Sequence, residues 1–236
     1  MTRHGLEIFC TEFNKGKHMS QNSTDRPEDV RILDFTEDYS FGNLFRAIRA
    51  TIQYRRFDGH MSDQITRVSF VRGDSVAVLL YDPDEDVVVL TRQFRYPVYA
   101  SIDPEIVKEE GSRQAWSLEV VAGTIDPGHS AAESASKEVL EEAGFAVQGT
   151  LRPITAIYTS PGWTSERIYL FLGLVDHKDR LHAGGGLPSE GEDIQVESLS
   201  FQESMMMIAR GEISDAKTII ALQHLALLKS RGMEFE

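Results

Sequence analysis

One segment constrains the fold more than any other: LEVVAGTIDPGHSAAESASKEVLEEAGF, Leu118 to Phe145. The apolar run Trp116 to Ala122 has the character of a strand and ends at Gly123. Asp126-Pro127-Gly128 then turns the chain. Ser130 is a good helix N-cap, and Glu133 three residues on completes a capping box. Gly144 stands where a left-handed residue ends the helix. Ala132, Ala135, Val139 and Ala143 recur at helical spacing and are expected to face a core. Beside them run Glu138, Glu141 and Glu142, spaced so that all three converge. Two carboxylates about 4 Å apart repel by about 4 kcal/mol at an effective dielectric near 20. The stripe is therefore either a solvated acidic face or a cation site. Hard oxygen ligands would select magnesium or manganese.

The preceding loop separates these readings. A strand, a glycine turn and a carboxylate helix together resemble the Nudix hydrolase box, G-x5-E-x7-R-E-U-x-E-E-x-G-U, where U is a bulky apolar residue. Gly123, Glu138, Val139, Glu141, Glu142, Gly144 and Phe145 fall at the spacing of that box. Two positions depart from it: His129 replaces a glutamate and Lys137 an arginine. In the family those two residues pair and brace the loop against the helix. The departures therefore fall on two halves of one contact, and a rebuilt or weakened brace is expected.

The rest of the chain supplies the frame. With 236 residues, 41% of them hydrophobic, it is long enough to bury a sizeable core as one domain plus a smaller one. A formal net charge of −13 argues against a nucleic-acid backbone or an anionic membrane as main partner. The single cysteine, Cys10, excludes an internal disulfide framework and suits a reducing cytoplasm. No apolar run approaches the length of a membrane span. Residues 1–28 read as a polar, poorly ordered tail. Residues 29–72 read as three short strands of an antiparallel layer too small to hold its own core. The main domain is assigned to residues 73–236. Within it, strands are expected at Ser75–Tyr81, Val87–Arg92, Pro153–Tyr158 and Ile168–Val175, and another ends at Leu199. Tyr99 to Arg113 reads as an acidic loop, and helices are expected over Phe201–Arg210 and Asp215–Lys229.

The resemblance extends beyond the box. RFDGHMS, TRQFR, LEVVAGTID, SPGWTSER, EGEDI and DAKTIIALQ follow the order seen in the nucleoside-diphosphate-sugar branch of the Nudix family, which includes ADP-ribose pyrophosphatases. It implies an α/β (α+β) fold: an α/β/α sandwich around a mixed sheet, with a small N-terminal antiparallel β subdomain exchanged across a homodimer. It implies metal ligation by Glu138 and Glu142, assisted by Glu141 and the Ala122 carbonyl, with Mg2+ or Mn2+ as the ion. It implies that Glu166 of the TSER loop is the general base. Arg95 and Arg67 are to grip the phosphates or the nucleotide, and Glu119 is to contact substrate near the metals. The implied substrate is ADP-ribose, cleaved to AMP and ribose 5-phosphate, with GDP-mannose or another sugar nucleotide as the alternative. His129 and Lys137 keep open a different reading, a catalytically weak nucleotide-sugar sensor.

Overall fold

A computed structural model describes residues 29–42 and 45–232; the tail expected over residues 1–28 lies outside them. The described chain divides into two compact units, one of residues 29–74 with 158–167 and the other of residues 75–157 with 168–232.

The first unit is built on an antiparallel sheet in the order β1 (Val30–Phe41), β2 (Phe45–Tyr54), β3 (Ile65–Val71). β1 is longer than the short strand the sequence suggested, because it pairs along the whole of β2 through two register shifts. Every residue of β1 is exposed, including Ile32, Leu33, Phe35, Tyr39 and Phe41. The SPGWTSER loop is stitched to the end of β3. Phe70 donates its N–H to the Trp163 carbonyl (2.7 Å), and its own carbonyl accepts from Ser165 N (3.2 Å) and Thr164 Oγ1 (2.9 Å).

The second unit holds a seven-stranded mixed sheet. Its spine is β10 (Gln195–Ser200), β5 (Val87–Phe94), β4 (Ser75–Asp82), β9 (Arg167–Leu174) and β8 (Gln148–Tyr158). β4 and β9 are parallel, whereas β4 and β5 form an antiparallel hairpin. That hairpin stays zipped only from Leu80↔Val89 to Asp82↔Val87. Beyond this it splays, and the segment expected as one strand fills the fork as two. β6 (Trp116–Glu119) pairs with β5, and β7 (Val121–Thr124) pairs with β4. The change of partner falls at Val120, whose N–H is taken by Thr218 Oγ1 at 2.9 Å.

Side chains alternate across β4, all of them buried. Ala77, Leu79 and Tyr81 join Val88, Leu90, Leu170 and Leu172 under the two C-terminal helices, α4 (Phe201–Ala209) and α5 (Ala216–Ser230). α5 contributes Thr218, Ala221, Leu222 and Leu225, a single face at helical spacing. The box helix, α3 (Ala131–Glu138), packs on β4 and β7. No helix among the described residues is long and apolar enough to cross a membrane.

The stretch from Tyr99 to Arg113 is not a loop. It folds into the second half of α1 (Tyr96–Ser101) and all of α2 (Pro104–Glu110), followed by a short 3-10 turn. The signals for this were local: a proline in the first turn of each helix, and Asp103 capping α2 by accepting from Glu105 N at 2.9 Å.

The buried face of α3 also differs by one position. Ala135, Val139 and Ala143 are buried as expected, but Ala132 is exposed and Ser134 takes the inner place. Ser134 Oγ is buried with no hydrogen-bond partner among the described residues. An unsatisfied buried hydroxyl costs about 1–3 kcal/mol, and alanine is the better helix former. Ser134→Ala should therefore raise stability by about 1 kcal/mol, a gain of about 2–4 °C in Tm. Thermal denaturation checks this, and a lower Tm in the variant would contradict it.

Candidate active site

The site is assembled where α3 meets the fork. Ser130 and Glu133 form the capping box expected of them. After Glu138 the helix widens into a π-turn, Val139–Ala143, that carries Glu141 and Glu142 and ends on left-handed Gly144 (φ 74°). Its last carbonyls are held by a glycine-rich loop. Gly185 N donates to Glu142 O (2.9 Å), Gly186 N to Glu141 O (3.3 Å), and Arg180 Nε to Ala143 O (2.9 Å). The loop approaches so closely that a Cβ on Gly144 would lie 2.1 Å from the His182 carbonyl oxygen, and one on Gly184 2.3 Å from that of Glu142. Wide turns of this kind are frequent at functional sites.

The three box glutamates differ in environment. Glu142 is 1% exposed and accepts from Ala122 N at 3.1 Å. In an extended strand the N–H and C=O of one residue face the same side, which puts the Ala122 carbonyl on the Glu142 side of β7. Burial pushes the Glu142 carboxyl up to about 8; the Ala122 hydrogen bond opposes this, and the charges of Glu138 and Glu192 add to it. Glu138 lies over Gly123: a Cβ there would come within 2.0 Å of Glu138 Oε1. The glycine of the box is thus the space the carboxylate occupies. Glu141 is partly exposed, 3.9 Å from Lys137.

The three glutamates are not the tightest acidic group. Among the described residues, Asp82, Asp176 and His177 bring their ligand atoms within 4.8 Å of one another. That group is tied up locally, since Asp82 accepts from the N–H groups of Asp84, Glu85 and His177 and from His177 Nδ1. The donor set of the box helix nonetheless fits a hard cation: a carboxylate starved of solvent, a second over a glycine, and a strand carbonyl beside them.

The brace is rebuilt. Lys137 does not reach His129; its Nζ bonds Asp126 Oδ2 at 2.8 Å, three residues earlier in the loop. This lysine holds the Asp126 carboxyl below its ordinary range. The sequence carried the signal in the DPG turn, where an acid precedes the proline.

Arg95 and Glu119 bind each other. Arg95 Nε and Nη2 donate to Glu119 Oε1 and Oε2 at 2.9 and 2.8 Å. Lys217 Nζ, which sequence reasoning passed over, meets Glu119 Oε2 at 2.5 Å. Burial pushes the Glu119 carboxyl up, but the Arg95 hydrogen bonds and the two positive charges prevail and hold it at about 2. Arg95 also acts on Glu142, lowering the cost of its charge.

Arg67 and Glu166 belong to the first unit. Arg67 is exposed on β3 and donates to its neighbour's carbonyl, Thr66 O, at 3.0 Å. Glu166 is 14% exposed at its side chain, with Thr159 Oγ1 and Arg72 Nε each 3.5 Å from its oxygens. Trp163 beside it is 65% exposed.

Comparison with known proteins bears on this geometry. The family model described as NUDIX domain matches residues 71–222. The chain is similar to the ADP-ribose pyrophosphatase of Escherichia coli (strain K12), 38% identical over 201 residues that cover 84% of this chain and 88% of that protein. It is 33% identical to the ADP-ribose pyrophosphatase of Haemophilus influenzae over 94% of each. It is 38% identical to the GDP-mannose pyrophosphatase of Pectobacterium atrosepticum over 170 residues, 72% of this chain and 81% of that one. Its fold is like that in the crystal structure of ADP compounds hydrolase, with a TM-score of 0.60 at 19% identity, covering 89% of this chain and all of the other.

The Glu142 environment sets a pH dependence. The folded carboxyl titrates at about 8 against an ordinary 4.5, so between those values the unfolded chain has lost a proton that the folded chain keeps. Stability of the metal-stripped protein should therefore fall as pH rises from about 5 to 8, by a few kcal/mol in total. Tm measured in chelator across that range tests this. Glu142→Gln should flatten the slope, as should excess Mg2+, and an equal slope in the variant would contradict the assignment.

Proposed function

The chain belongs to the Nudix hydrolase family, and from that premise we propose that it hydrolyses the pyrophosphate bond of a nucleoside diphosphate sugar, with ADP-ribose the leading substrate and AMP and ribose 5-phosphate the products. The observation that carries the reading is the buried Glu142 carboxylate, held by the Ala122 N–H one residue before the Gly123 that Glu138 covers. The relatives named ADP-ribose pyrophosphatase, matched over most of both chains, support the choice of sugar nucleotide.

Glu138, Glu142 and the Ala122 carbonyl would hold a divalent cation, Mg2+ or Mn2+, assisted by Glu141. That ion supplies charge neutralisation for the diphosphate and a lowered pKa for bound water. The protein's own groups do the rest. Arg95, oriented by Glu119, grips a phosphate through its planar fork. Glu166 takes the proton of the attacking water, a role that suits a carboxylate largely withdrawn from solvent. Arg67 contacts the nucleotide. The rebuilt brace between Lys137 and Asp126 does for the loop what the family's glutamate–arginine pair does, which favours a working enzyme over a sensor. The GDP-mannose pyrophosphatase relative keeps that sugar nucleotide as the second reading. Cysteine usage suits a cytoplasmic setting.

We also propose that β1 forms a homodimer contact. Twelve consecutive exposed residues, with large apolar side chains on both faces, form the kind of strand that a second copy covers. Phe35→Glu should shift the protein from dimer to monomer in light scattering after size exclusion; a wild-type monomer would refute the contact.

Incubation with ADP-ribose and Mg2+ should release AMP, faster than GDP-mannose releases GMP. Glu142→Gln should lower turnover by roughly a thousandfold or more, because an amide cannot supply the negative charge that a cation needs, while its matching size lets the fold persist. Wild-type activity in that variant would sink the metal assignment, and a wild-type chain inert towards both sugars would sink the enzymatic reading.

A further inference from the structure

We propose that Lys217 is a positioning residue for the substrate diphosphate: by sharing the Glu119 carboxylate with Arg95, it fixes the guanidinium and leaves one edge of it open. This rests on the nucleotide-sugar reading above, and assigns a residue that reading does not use.

The geometry is a buried chain of charges. The Glu119 side chain is 4% exposed and faces two cations, Arg95 and Lys217. Arg95 spends Nε and Nη2 on it, a side-on grip. Among the described residues, Nη1 of Arg95 makes no hydrogen bond, and the side chain is 37% exposed. Lys217, only 11% exposed, is held in turn by Asp215 at 2.9 Å. Asp215 caps α5 by accepting from Thr218 N (3.0 Å) and Thr218 Oγ1 (2.5 Å), and Thr218 Oγ1 takes the N–H of Val120. Val120 directly follows Glu119, so the start of α5 is pinned beside the carboxylate that Lys217 touches.

Local energetics do not explain this lysine. It is the second residue of α5, in the first turn, where the helix dipole disfavours a cation. Ordering and burying a long charged side chain costs entropy and hydration, and a buried ion pair does not dependably stabilise a fold. A role in orientation remains. Arg95 and Glu119 alone would be a neutral pair, a weak attractor of phosphate. Lys217 offsets the charge of Asp215 beside it, so the cluster is neutral instead of negative toward a phosphate, and with Oε2 anchored the carboxylate cannot rotate to claim Nη1 as well.

The test pairs turnover of ADP-ribose with calorimetric titration of ADP. Lys217→Met should raise the KM for ADP-ribose and the Kd for ADP by about tenfold, the order of effect expected from one partly screened charge near an anion. kcat should stay within about threefold, and Lys217→Arg should restore both constants. In an Arg95→Ala background, Lys217→Met should add less than about twofold, because the lysine acts through the arginine. If Lys217→Met does not fold, Lys217→Gln, a donor without charge, carries the comparison. A lower Tm with unchanged KM and Kd would overturn the proposal, as would an equal tenfold effect without Arg95. Should the wild type turn over no ADP-ribose, the enzymatic reading fails, while the ADP titration still decides on Lys217. An ADP affinity too weak to measure in the wild type would overturn the proposal as well.

Discussion

A carboxylate as enclosed as that of Glu142, with Glu138 and Glu192 close enough to resist its ionisation, holds its charge comfortably only against a cation. Much of the second unit is arranged around that fact. The splayed β4–β5 hairpin opens a fork, β6 and β7 fill it, and the change of partner at Val120 brings Glu119 and Ala122 to its two sides. Glu119 then holds Arg95, while Ala122 offers its N–H to Glu142. One change of partner in one strand thus sets the Arg95–Glu119 pair beside the buried Glu142 carboxylate.

Holding the acidic helix in place takes contacts at both ends. At the front, Lys137 ties the turn through Asp126. At the back, the loop from Arg180 to Gly186 satisfies the carbonyls that the π-turn leaves without helical partners. These contacts fix the end of the helix that carries Glu141 and Glu142.

Much of this was legible in the sequence because the rules involved are local. The capping box, the terminal Gly144 and the C-terminal helices follow from spacing and side-chain type. What escaped depended on partners distant in the chain. The split of the strand at Val120 is imposed by two neighbours that diverge, and no residue in Trp116–Ala122 announces it. The π-turn is stabilised by glycines some forty residues on. The inward shift from Ala132 to Ser134 reflects how α3 rolls on the sheet, which alternating alanines and serines leave undetermined. Two misses were avoidable. Asp103-Pro104 spells a helix start inside a stretch that composition alone made look like a loop. A lysine in the first turn of α5 is a local anomaly that points to a partner such as Glu119.

The meeting of Gly144 with the loop at Gly184 has a consequence for protein engineering. Both glycines have positive φ, and each would drive a Cβ into the other segment's main chain, which has no rotamer with which to yield. The helix end and the loop therefore form one indivisible cassette, although some forty positions separate them. A chimera that takes its helix from one parent and its loop from another inherits half of a mated pair. Crossover points for recombination belong outside residues 144–184.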